Sequence, residues 1–220
     1  MQSAMVFATL GALAVTPAHA GFNEGVTAYQ RGDFPAAVKE FKAAAAKGDS
    51  DALIELALLH GMGCGVARSA KDAARYMSDA AAANNPAAKY FLAIGSVQKQ
   101  GPSPESERLV RQSAEAGFPL AMAALGRIYQ NAPNAEDDLM LGYAWSSLAL
   151  RRHQERPHMD LLPEGEAQLV ERELLELSRT FSPWDLATAR QMLSRLDRRT
   201  PRSKVVVIQS CTPAAPPPTQ

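Results

Sequence analysis

Four short stretches bring together side chains that could do chemistry. Ser96-Val97-Gln98-Lys99 has the S-x-x-K spacing in which a lysine activates a serine nucleophile. The S-D-N and K-T-G partners of such sites are missing, and the stretch reads as the end of a helix. His153, Glu155, His158 and Asp160 place two imidazoles and two carboxylates within eight residues, a donor set suited to a divalent metal. Pro157 interrupts any common helix face there and no H-E-x-x-H spacing exists, so a polar connector is the expected role. Gly61-Met62-Gly63-Cys64-Gly65 has the glycine density of a phosphate loop without its lysine or preceding strand, and reads as a turn. The fourth feature is the pair Cys64 and Cys211. They could be joined in an oxidising compartment or remain free; spacing does not choose, because bridging requires Cα atoms within about 7 Å. No catalytic residue, metal or cofactor is assigned.

The elements that must position these groups follow from composition. The chain has 220 residues with 23 basic and 23 acidic side chains, a balance that excludes a nucleic-acid partner as the first expectation. Two cysteines are too few for a disulfide-stapled scaffold. Forty alanines favour helices packed closely through small side chains. The apolar run Ala4–Val15, Pro17 and then Ala18-His19-Ala20 have the layout of a secretory signal cut before Gly21, although no Lys or Arg opens it. The run is shorter than the roughly 18 residues a membrane span needs, so no transmembrane segment is expected. Residues 1–20 are therefore expected to be a signal peptide and the mature chain to be exported, to the periplasm.

The mature chain repeats itself. Ala44-Ala45-Ala46-Lys47-Gly48, Ala80 to Asn84 and Ser113 to Gly117 each end an alanine-rich helix in Gly or Asn, the residues that tolerate a left-handed C′ position. A new helix with small residues on one face follows each: Ala52/Leu56/Ala57, Ala88/Leu92/Ala93, Ala121/Leu125/Gly126. A helix–turn–helix unit with a period of 33 to 36 residues predicts a solenoid. Leu56, Leu92, Leu125, Phe41, Tyr76 and Trp145 are expected to fill the spaces between units, because one unit cannot bury its apolar face alone. Pro35, Pro86, Pro119, Pro163 and Pro183 fall where helices should start.

Residues 22–150 resemble the Sel1-like branch of the tetratricopeptide superfamily. Ala52, Leu56, Gly63, Gly65, Val66, Ala73, Tyr76, Ala80 and Ala81 match its unit best, with His60 where the family has tyrosine. Ala121, Leu125, Gly126, Tyr129, Trp145 and Ala149 match a later unit whose glycine-rich loop is replaced by residues 130–140. Residues 88–117 are degenerate, and Gly25, Gly32, Ala37, Phe41 and Ala44 follow the ordinary tetratricopeptide spacing around a turn at Arg31–Phe34. The resemblance implies an all-α, right-handed α-solenoid of four Sel1-like/TPR-like repeats over 21–150. The paired cysteines by which some members have been linked to β-lactams are absent.

Beyond the repeats, Arg151–His158 reads as a polar connector. Two longer helices, Glu164–Thr180 and Ser182–Asp197, are expected to cap the solenoid within 151–199, the second opened by Ser182-Pro183-Trp184-Asp185. Residues 200–220 read as a disordered, proline-rich tail. Glu136-Asp137-Asp138 suit a helix N-terminus, and Arg190, Arg195, Arg198, Arg199, Arg202 and Lys204 make the C-terminal end basic. Contact of that basic end with anionic envelope components is a secondary expectation.

Function is expected to be that of a non-enzymatic scaffold that takes a protein or peptide segment in its concave groove. Carrying the tetratricopeptide groove positions over residue by residue gives Tyr29, Gln30, Tyr90, Gln98, Arg127, Gln130 and Asn131. On this reading, Tyr90→Ala with Arg127→Ala abolishes partner capture and leaves helicity intact. The alternative is an envelope enzyme or ligand-binding protein acting on glycans or peptidoglycan. A glycosidase would need two carboxylates about 5–9 Å apart across a cleft, and no local pair points to one.

Overall fold

A computed structural model describes residues 21–132, 136–155, 162–202 and 211. The expected signal peptide, 1–20, and most of the expected tail, 200–220, lie outside the described residues, as do His158 and Asp160. Ten α-helices and no strand occur among the described residues. They are α1 (Phe22–Gln30), α2 (Phe34–Ala46), α3 (Ser50–Met62), α4 (Ala70–Ala82), α5 (Pro86–Gln100), α6 (Pro104–Glu115), α7 (Pro119–Gln130), α8 (Glu136–Gln154), α9 (Glu164–Thr180) and α10 (Pro183–Arg199). The chain is an α-solenoid: α1/α2, α3/α4, α5/α6 and α7/α8 pair, each pair stacks on the next, and α9 and α10 pack on α8. The first helices of the last three pairs start at Ser50, Pro86 and Pro119, intervals of 36 and 33 residues that reproduce the sequence period.

Local chemistry sets that period. Gly48, Asn84 and Gly117 all have positive φ, at 90°, 61° and 97°, and Asn84 is the non-glycine residue that does so. At each, the C′ amide donates to the C2 carbonyl and the next amide to the C3 carbonyl: Gly48 to Ala45 and Asp49 to Ala44, Asn84 to Ala81 and Asn85 to Ala80, Gly117 to Ala114 and Phe118 to Ser113. Three identical helix ends turn the chain into the next repeat by the same route. Two of the next helices are then capped at once. Asp49 accepts from the amides of Asp51 and Ala52, and Asn85 from those of Ala87 and Ala88. The amide nitrogen of buried Asn85 donates back to Ser50 Oγ and Asp51 Oδ1, at 3.2 and 2.7 Å, joining the starts of α3 and α5.

Glycine lets paired helices close up. A Cβ on Gly25 would lie 2.6 Å from the Phe41 ring, and one on Gly142 would lie 2.8 Å from the Gly126 carbonyl oxygen. One cluster around Phe41, Leu56, Leu59 and Cys64 holds the first repeats. A larger one runs from Ile54 through Phe118, Leu125 and Trp145 to Leu162, Val170 and Leu193, so the helices of the expected cap share the core of the last repeats. Leu58 packs against both.

Two expectations need correction. Leu92 does not fill an inter-repeat space; it is 39% exposed. The rings of Tyr90, Phe91 and Phe118, with centroids 5.5–6.2 Å apart, take that space instead. Residues 151–154 are not connector but the last turn of α8. Arg152 is only 3% exposed there, since Asp197 Oδ1 at 2.7 Å and Glu155 Oε2 at 3.3 Å supply its counter-charge and the Asp197 and Thr200 carbonyls accept from it. The degenerate third unit also contains a start signal that periodicity passes over: Ser103 caps α6, with Pro104 at N1 and Ser106 completing a reciprocal box. The analogous box of Ser182 and Asp185 opens α10 as its sequence foretold.

Two tail residues have fixed partners. Arg202 donates to Glu155 at 3.1 Å, and Cys211 is bonded to Cys64 with Cα atoms 5.5 Å apart. Of the two possibilities open for the cysteines, the pairing is the one observed.

Candidate docking cleft

An open cleft of about 430 Å3 lies between the C-terminal half of α7 and the outer half of α9. Arg127, Gln130 and Asn131 form one wall, Leu139 of α8 lies in it, and Glu173, Glu176, Leu177 and Thr180 form the other. Its volume is within the range of roughly 300–1,000 Å3 that takes a drug-sized group or a few side chains.

Helical spacing makes the walls. Arg127, Gln130 and Asn131 are neighbours one turn apart, while Glu173, Glu176, Leu177 and Thr180 are related by three and four residues on α9. The helices are clasped by Arg127, whose Nε donates to Glu173 at 3.2–3.3 Å and whose Nη2 donates to Glu166. Burial works against the guanidinium's charge, but Glu166 and then Glu173 more than offset it, so Arg127 holds its proton more firmly than usual. Below the clasp, Ala167, Val170 and Leu174 of α9 face the shared core. The α7 wall is fixed as well: Gln130 Nε2 donates to Ser146 Oγ at 3.2 Å, across the glycine crossing of α7 and α8. Asn131 Nδ2 donates to the Arg127 carbonyl at 2.8 Å, and Thr180 Oγ1 to the Leu177 carbonyl at 2.8 Å.

Three of the seven groove residues read from the sequence line this cleft. Arg127, Gln130 and Asn131 meet in the cleft. Tyr29 is half-buried against Phe34 with centroids 5.6 Å apart, and Gln30 is exposed at the end of α1. Tyr90 is half-buried against Phe118. Burial, then the Glu166 carboxylate, push its hydroxyl above the usual tyrosine range, with Arg127 pulling partly back. Gln98 is exposed near the end of α5. The opposite wall, Glu173, Glu176, Leu177 and Thr180, lies outside those seven positions, although its i, i+3, i+4, i+7 spacing is legible as one helix face.

His153, His60 and the glycine-rich turn have structural roles, while Ser96 and Lys99 lie in the last two turns of α5. His153 Nδ1 accepts from the Leu162 amide at 3.2 Å, holding the chain as it enters α9. The His60 ring packs on Tyr76 at 5.4 Å, with both nitrogens buried and without hydrogen bonds among the described residues. Gly63 and Gly65 have positive φ in the turn after α3, and a Cβ on Gly65 would strike the Phe34 carbonyl group, which accounts for the glycines there. Among the described residues no cluster of three or more His, Cys, Asp or Glu is placed to hold a metal. No described helix is long and apolar enough to cross a membrane.

No family profile matches the chain, and no curated protein does. Solved structures similar to it include a Sel1 repeat protein from Oxalobacter formigenes, 23% identical with a TM-score of 0.48, where the match covers 74% of this chain and 49% of that one. Another is c5321, a protective antigen present in uropathogenic Escherichia coli strains and displaying an SLR fold, 17% identical with a TM-score of 0.49, covering 82% of this chain and 45% of that one. The chain thus spans about half the length of each.

Proposed function

We propose that the protein is a non-enzymatic interaction scaffold that takes a segment of a protein partner in the cleft between α7 and α9. The observation that carries this reading is the cleft itself, open, lined by both apolar and polar side chains, and set on two helices clasped by Arg127. Stacked helix pairs offer such extended surfaces because the exposed face of a first helix is free to vary without harming the core. A photo-crosslinking residue in place of Asn131 should give a discrete adduct in cells. The same residue in place of Arg75, exposed on α4, should not. Equal adducts from both positions, or none from Asn131, would refute the reading.

We further propose that this scaffold works in the periplasm. Ala18-His19-Ala20 supports export, and the Cys64–Cys211 bond suits an oxidising compartment. Fractionation with N-terminal sequencing tests this: a periplasmic product beginning at Gly21 is expected, and a cytoplasmic one beginning at Met1 would sink it. The basic end formed by Arg195, Arg198 and Arg199 is proposed as a minor contact for anionic envelope polymers. Salt-insensitive envelope association, or none, would count against that contact.

A further inference from the structure

We infer that the segment held between α7 and α9 is an extended peptide carrying arginine or lysine beside an apolar residue. This rests on the docking function proposed for the same cleft.

The charge of the walls, unlike their hydrogen-bonding inventory, is one-sided. Arg127 spends Nε on Glu173 and Nη2 on Glu166. Gln130 and Asn131 each spend an amide hydrogen inside the fold, on Ser146 Oγ and on the Arg127 carbonyl. Thr180 spends its hydroxyl hydrogen on the Leu177 carbonyl. The oxygens of these same groups, Gln130 Oε1, Asn131 Oδ1 and Thr180 Oγ1, accept nothing among the described residues. Glu176, exposed on the α9 wall, makes no ion pair among them either. Glu173 meets the Nε edge of Arg127 and no other cation among the described residues.

An incoming group meets free oxygens together with the remaining N–H groups of Arg127, Gln130 and Asn131, so charge rather than donor count decides what fits. Guanidinium and ammonium groups are donors only, and a donor to a carboxylate makes the stronger, charge-assisted bond. The lining holds one guanidinium and two carboxylates, and Glu166 adds a third at the clasp, so the local charge is negative and favours a cation. An anionic segment would be repelled by Glu173 and Glu176. Leu139 and Leu177 give the walls apolar area, which suits a hydrophobic neighbour on the same segment. A small cation alone would leave that area uncovered.

The test titrates the intact protein with a labelled peptide of alternating leucine and arginine, and with the same peptide carrying glutamine in place of arginine. Binding is read by fluorescence anisotropy, and contact by the NMR amide signals of Gln130 and Asn131. The arginine peptide should shift both signals and bind about tenfold more tightly than the glutamine peptide, weakening as salt is raised. Glu176→Gln, an exposed change without folded-state partners, should weaken the arginine peptide about fivefold and leave the glutamine peptide unchanged. Equal binding of the two peptides with both signals shifted would overturn the cationic class and leave docking standing. Arginine-peptide binding that ignores Glu176→Gln and leaves both signals still would overturn the inference. No shift with either peptide would overturn the docking function with it.

Discussion

The hydroxyl of Ser146 on α8 stands where the Cβ of any residue other than glycine would have to go at position 126 of α7. Backbone is close too, with the Gly142 carbonyl oxygen 3.0 Å and the Ser146 nitrogen 3.1 Å from that point. Alanine gains about 1 kcal/mol over glycine within a helix, whereas overpacking costs about 1–3 kcal/mol. Because backbone must yield at this crossing, the second effect wins. Gly126→Ala should lose about 1–2 kcal/mol in urea unfolding. Gly95→Ala in α5, where a Cβ meets nothing within 4 Å, should instead gain up to about 1 kcal/mol. Changes of the same sign at both positions would refute the close-crossing account.

The Cys64–Cys211 bond spans 147 residues of sequence, and a loop of that size restricts the unfolded chain strongly. Cys64 is 2% exposed whereas Cys211 is exposed, so Cys211→Ser removes the bond with little disturbance of packing. A loss of about 2–4 kcal/mol is expected. The unreduced protein should take up no alkylating agent until it is unfolded and reduced, and then two equivalents; immediate alkylation of either thiol would end the argument.

Which features could be read in advance depends on how far apart their causes lie in the chain. Gly48, Asn84 and Gly117 were legible because a helix end is decided within six residues. Gly126 was legible because its small size recurs at the repeat period. Arg152 was not: two arginines after Leu150 look like a solvated connector until Asp197, 45 residues beyond Arg152, is seen to pair with both. Nor was the cleft, since nothing in the α9 periodicity says that Glu166 and Glu173 meet Arg127, 39 and 46 residues away. Leu92 shows the opposite failure, a helical phase that places it inside while three aromatic rings already fill the space.

The Arg152 junction should make the C-terminal end acid-sensitive. Burial raises the Glu155 carboxyl, but hydrogen bonds and charge from Arg202 and Arg152 outweigh it and hold the group below its ordinary range. A carboxyl that releases its proton more readily when folded stabilises the fold fully above its unfolded pKa, about 4.3. That contribution is lost as pH falls through the lower folded value. Protection of the amides in the last turn of α10, taken relative to the intrinsic exchange rate at each pH, should therefore fall below about pH 4, and Glu155→Gln should show the lower protection already at neutral pH with a flatter acid limb. An unchanged acid limb in that variant would assign the sensitivity elsewhere.

Arg127 must be judged as structure before it is judged as groove. Arg127→Ala removes the clasp on Glu166 and Glu173, whose side chains are about one-quarter exposed. Hydrogen bonds between charged groups, discounted for that solvent access, make the loss about 1–2 kcal/mol. The variant should exchange α9 amides faster while α3 and α4 stay protected. Combined with Tyr90→Ala, which empties the contact with Phe118, the change should loosen the cap further. The expectation that this pair of substitutions leaves helicity untouched therefore gives way: lost binding in the double variant would report a displaced α9 as readily as a lost contact. Gln130→Ala and Glu176→Gln address the cleft without touching the clasp. Uniform α9 protection in Arg127→Ala would show that Ala167, Val170 and Leu174 alone hold the helix.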